Sequence, residues 1–123
     1  MKPSRRVEIT ASFERDLEEL ERFLDESDAS SAFDALLAHL ADELVPNLER
    51  FPAMGRSFFE RTSKSVQGVV RLERLRKRTA GKELRELLTG DYLLLYLDDG
   101  RTLHLLSIRH HRQLSYDFEG HWR

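Results

Sequence analysis

The stretch from Ile108 to Asp117, IRHHRQLSYD, gathers more chemically able side chains than any other part of this 123-residue chain. It holds two imidazoles, two guanidiniums, a hydroxyl and a phenol. Arg109 and Arg112 carry the planar donor fork that grips phosphate through two parallel bonds. His110, His111 and Tyr116 can give or take a proton near neutral pH or above it. RNA cleavage without a metal needs this set: a base for the 2′-hydroxyl, an acid for the leaving oxygen, and cations for the charge that builds on phosphorus. The competing reading is structural: His110 and His104 are hydrogen-bonded core residues, and the arginines pair with acidic helices.

A second basic feature runs from Arg71 to Lys82, where Arg71, Arg74, Arg76, Lys77, Arg78 and Lys82 face Glu73 alone. Arg71, Arg74 and Arg78 share one helical stripe and could clamp nucleic-acid phosphates. A solvated helix face explains the same run. No aromatic residue interleaves it, so stacking on single strands is not supported. A metal site is not expected, because the adjacent His110 and His111 point to opposite faces of a strand and no third ligand stands at a telling spacing. No cofactor motif, glycine-rich phosphate loop or nucleophile elbow is present.

The elements that must position these residues lie mostly in the last third. Tyr92 to Leu97 and Leu103 to Ile108 are apolar runs separated by Asp99-Gly100, a strong signal for a two-residue hairpin. That turn would pair Leu97 with Thr102, Tyr96 with Leu103 and Leu94 with Leu105. One face then carries Leu93, Leu95, Leu97, His104, Leu106, Ile108 and His110, and should cover the core. The other carries Tyr92, Leu94, Tyr96, Leu103, Leu105, Ser107 and Arg109, and should meet a partner. A bulge would swap the faces. Glu83 to Thr89 has helix-forming residues, but its short Gly90-Asp91 link to Tyr92 argues for a strand.

Upstream, Val7 to Thr10 reads as an edge strand. Ser12 is a good cap for a first amphipathic helix through Phe13, Leu17, Leu20 and Leu24, ending near Asp25. Phe33, Leu36, Leu37, Leu40, Ala41 and Leu44 make a second apolar stripe. Pro46 should kink or end that helix, with one more turn before Pro52. Residues 51–58 read as a loop, with Gly55 offering positive φ. Residues 65–78 are expected to be helical, part of an extra insert at about 59–82. The fold expected is α+β: an N-terminal strand, then an antiparallel helical hairpin on a C-terminal antiparallel meander.

Length and composition agree with one globular domain over residues 1–123. The chain has no cysteine, and hence no disulfides or thiolate chemistry. No apolar run approaches a membrane span, no secretory signal stands at the N-terminus, and a cytoplasmic protein is expected. The net charge of −2 hides a split: residues 1–55 hold 6 Lys+Arg against 13 Asp+Glu, and residues 56–123 hold 14 against 9.

Taken together, the β-α-α-meander order, the FPAMGR segment and LRELLTGDYLLLYLDDGRTLHLLSIRHHRQ resemble the RelE/ParE superfamily, the toxins of type II toxin–antitoxin (plasmid stabilisation) pairs. The resemblance covers most of the chain. It implies a growth-inhibiting toxin neutralised by a cognate antitoxin, whose amphipathic helix would bury in an apolar groove. RelE-like members cleave ribosome-bound mRNA, and Arg85, His110, Arg112 and Tyr116 lie where that catalytic set would stand. Arg71, Arg74, Arg78, Tyr92, Tyr96 and Arg109 would then bind nucleic acid or a partner. ParE-like members poison DNA gyrase without catalysis, and Pro52, Gly55 and Arg56 look like that side of the family. Two departures stand out: the acidic balance and the long segment from about Phe59 to Lys82. They motivate an alternative, a non-toxic binding or dimerisation module on the same scaffold, self-associating through a sheet edge or the helical hairpin.

Overall fold

Residues 5–57 and 82–113 are described by the structure, a computed structural model. The chain enters as β1 (Arg6–Ile9) and turns into α1 (Ala11–Glu26). The helix is capped by Thr10, not Ser12: the Thr10 hydroxyl accepts the Phe13 N–H at 3.2 Å. Phe13, Asp16, Leu20 and Leu24 recur on one side and are buried, the spacing of a core-facing stripe. Asp28, at φ 60°, reverses the chain into α2 (Ser30–His39). There follow a π-helical turn (Leu40–Leu44) and α3 (Val45–Arg50). Pro46 lacks an N–H, so the carbonyl four residues back has no helical partner. The Val45 N–H reaches the Leu40 carbonyl five residues back, the widened turn of a π-helix, and the chain continues as α3 instead of stopping.

The sheet has five strands in the order β1-β5-β4-β3-β2. Here β2 is Arg56–Ser57, β3 Glu83–Thr89, β4 Tyr92–Asp98 and β5 Thr102–His110. β1 runs parallel to β5 and the other pairings are antiparallel. The expected α+β arrangement is therefore present, as is the strand at Glu83–Thr89. The expected meander is extended at one edge by β1 and at the other by β2, which the sequence presented as loop. The helical insert expected at about 59–82 lies outside the described residues.

The hairpin differs from expectation in register. Asp98 pairs with Leu103 and Tyr96 with Leu105, so four residues, Asp99 to Thr102, separate the last paired positions rather than two. Only Gly100 takes positive φ, at 97°. Carboxylates shape the loop: Asp98 Oδ1 accepts the Gly100 N–H, and Asp99 Oδ1 accepts those of Arg101 and Thr102. A bulge opposite Leu95 and Tyr96 then adds one residue to β5.

The two-residue shift keeps the same side chains together up to the bulge, but the buried face is the one expected to meet a partner. Leu94, Tyr96, Leu103 and Leu105, expected to meet a partner, are core. Leu93, Leu95 and Leu97, expected in the core, are half-buried. Beyond the bulge the expectation holds again, and Ile108 and His110 are buried. The core joins the buried face of β4 and β5 to Phe13 and Leu20 of α1, Leu36 of α2 and Leu48 of α3. Each such side chain contributes about 1.5–3 kcal/mol by leaving water.

Candidate functional site

Three clusters hold the chemistry-bearing residues. The first joins β3 and β4 to the loop before β2. Tyr96 donates its hydroxyl hydrogen to the Pro52 carbonyl at 2.7 Å and accepts the Gly55 N–H at 2.9 Å. Arg85, opposite Tyr96 in register, donates to the Gly55 carbonyl at 2.7 Å. A Cβ on Gly55 would stand 2.7 Å from the Glu86 carbonyl oxygen and 2.9 Å from the Tyr96 ring. Gly55 thus serves close approach, not the positive φ expected of it. Burial raises the Tyr96 phenol above its ordinary range, partly offset by the Gly55 hydrogen bond and Arg85. This phenol is a fastener, protonated at neutral pH.

The second cluster lies where α1 crosses the β5 bulge. A bulge frees backbone groups from the ladder, and here α1 supplies their partners. Thr10 and Ser12 donate hydroxyls to the carbonyls of Leu105 and Leu106, both at 2.7 Å. Asp16 is 5% exposed and accepts the Ser107 hydroxyl at 2.6 Å and the Ile108 N–H at 3.1 Å. Arg109 meets Glu19 at 3.0 Å and Asp16 at 3.5 Å, with its side chain 11% exposed. The guanidinium expected to face a partner lies against the acidic helix.

The third cluster closes the other end of the sheet, where Thr89, Tyr92 and His110 stand in register across β3, β4 and β5. The buried His110 ring packs against Phe23, Tyr92 and His111, with centroids 5.4, 5.4 and 4.5 Å away. Its Nδ1 accepts the Arg112 N–H at 3.2 Å, which leaves the proton of the neutral ring on Nε2. Burial, then the neighbouring His111, lowers its proton affinity. Burial and Asp91 raise that of Tyr92. At one edge of this row His39 touches the Thr89 hydroxyl at 3.0 Å and Glu43 at 2.9 Å.

His104 is half-buried and meets the Asp99 carboxylate at 2.9 Å, which holds Asp99 well below the usual carboxylate range. Arg71, Arg74, Arg78 and Tyr116 lie outside the described residues. Among the described residues no group of three or more His, Asp or Glu is placed to hold a metal. No described helix is long and apolar enough to cross a membrane.

Among the described members of the expected catalytic set, Arg112 lies beside His110, and Arg85 stands apart from both. Arg85 pairs with Tyr96, and His110 with Tyr92 four residues along the same strand, about 13 Å apart in that direction. Sequence reasoning missed Asp16, whose only signal is a carboxylate on an apolar helix stripe. It also missed the Tyr96 latch, since nothing local links Tyr96 to Pro52 and Gly55.

With this geometry in place, comparison with known proteins is specific. The family model described as the ParE toxin of the type II toxin–antitoxin system parDE matches residues 7–115. Among solved structures, a chain of the toxin–antitoxin complex RelBE2 from Mycobacterium tuberculosis is similar at 21% identity, with 87% of this chain and 98% of that chain covered and a TM-score of 0.47. A search among curated proteins gives no match.

Proposed function

This chain belongs to the ParE toxin family of type II toxin–antitoxin systems, and from that premise we propose that it arrests growth by gripping a protein target, DNA gyrase, without cutting RNA. A cognate antitoxin silences it. The observation that carries this reading is the employment of the polar residues on the sheet. Arg85 and Tyr96 fasten the loop before β2, and Arg109 lies in ion pairs with α1. His110 is buried in an aromatic cluster at the far end. A phosphodiester needs base, acid and cations within one near-attack geometry, and this separation favours binding over cleavage.

Induced expression tests the proposal. The wild-type chain is expected to arrest growth, and Tyr116→Phe, which removes a candidate proton donor, is expected to arrest it equally. Loss of arrest in a folded Tyr116→Phe chain, with new 5′ ends appearing in ribosome-bound mRNA under the wild-type chain but not the variant, would establish the nuclease reading instead.

A further inference from the structure

The loop between α3 and β2 is built twice over. Inside, it is tied to the sheet by the Tyr96 and Arg85 bonds to Pro52 and Gly55, and within itself by Met54 N–H to the Phe51 carbonyl at 3.1 Å. Outside, it leaves two large apolar side chains partly exposed: Phe51 is 48% and Met54 40% exposed. The Arg50 guanidinium lies over the Phe51 ring, 5.5 Å from its centroid. Residues 50–57, RFPAMGRS, contain two arginines and no acid. Elsewhere the fold spends buried hydrogen bonds to hold its core. Here it holds exposed apolar groups in a fixed pose.

We propose that this loop is a preassembled docking knob for the toxin's protein target: Phe51 and Met54 enter an apolar pocket, and Arg50 meets carboxylates at its rim. The proposal rests on the reading of a toxin that acts by binding. Aromatic and Arg side chains are the groups that anchor interfaces. Met adapts to irregular pockets, and a loop already fixed when free loses little entropy on docking. A phosphate backbone offers nothing to Phe51 and Met54, so the chemistry favours a protein over a nucleic acid. An antitoxin helix laid on the toxin would need a groove to receive it. Side chains standing off a loop need the converse, a concave acceptor on a folded partner rich in carboxylates.

The test uses the full chain without antitoxin, so that antitoxin affinity plays no part. Two variants at exposed positions are compared with wild type: Phe51→Ser combined with Met54→Ser, and Arg50→Glu. Growth arrest on induction and inhibition of gyrase supercoiling by purified protein are the readouts, with a thermal melt to confirm folding. The double variant is expected to lose at least about ten-fold in potency, and Arg50→Glu to lose potency most at low salt, where charge pairing is strongest. Folded variants as potent as wild type would overturn the knob. If wild type arrests growth but leaves gyrase untouched, the choice of gyrase fails. The knob is then still judged by arrest: it stands if the variants lose it and falls if they keep it. A wild-type chain that does not arrest growth overturns both.

Discussion

Single side chains decide what this sheet can do. Tyr96 combines an aromatic body with a polar tip, and the two hydrogen bonds of that tip let it sit in the core. Tyr96→Phe keeps the ring and strands the Gly55 N–H, at a cost of about 1–3 kcal/mol, measurable as a lower melting temperature. Gly55→Ala should cost more, because the added carbon meets backbone at 2.7 Å rather than a flexible side chain. His110 supplies a pH test. Burial favours its neutral form, so the folded chain takes up this proton less readily than the unfolded one. The stability it contributes is complete above its unfolded value near about 6.5 and declines as pH falls through that value toward the lower folded one. An NMR titration of His110 should place its pKa below the ordinary histidine value, and His110→Phe should flatten stability between about pH 7 and 5. A His110 that titrates at the ordinary value would contradict the buried assignment.

Among the elements, periodicity made α1 and the apolar stripe of α2 legible in the sequence, the Asp99-Gly100 turn between apolar runs revealed β4 and β5, and the short Gly90-Asp91 link revealed β3. Which face of the hairpin is buried was not legible, because both faces of β4 are largely apolar and no local pattern announces the bulge that sets Ile108 opposite Leu94. Asp99-Gly100 signals a turn equally well in a two-residue and a four-residue connection. β2 was hidden because two residues carry no alternation, and the Thr10 cap because Ser12 offers the same chemistry two positions later. The bulge is held open by α1 through Asp16, which satisfies Ser107 and Ile108 and neighbours Arg109. Asp16→Ala should therefore cost about 2–3 kcal/mol, since the buried Ser107 hydroxyl and Ile108 N–H lose this acceptor while Arg109 keeps Glu19. Ser107→Ala removes one hydrogen bond and should cost about 1 kcal/mol. Urea unfolding of the two variants checks the ranking, and equal midpoints would contradict the pin.

In the molecule as a whole, an acidic helical layer covers one face of the sheet and engages Arg109, one of the cations that the sequence suggested were available to a partner. The family was legible because element order and the C-terminal block survive in the sequence. The role of each residue was not, because Arg85 and Arg109 look alike until their partners, some 30 and 90 residues distant in the chain, are in place. The central claim is that this toxin binds its target and performs no chemistry on RNA. It is met most directly by adding the purified chain to DNA gyrase and relaxed plasmid and following supercoiling, with ribosome-bound mRNA as the parallel substrate. The account predicts concentration-dependent loss of supercoiling and intact mRNA. Cleaved mRNA with supercoiling unimpaired would contradict it.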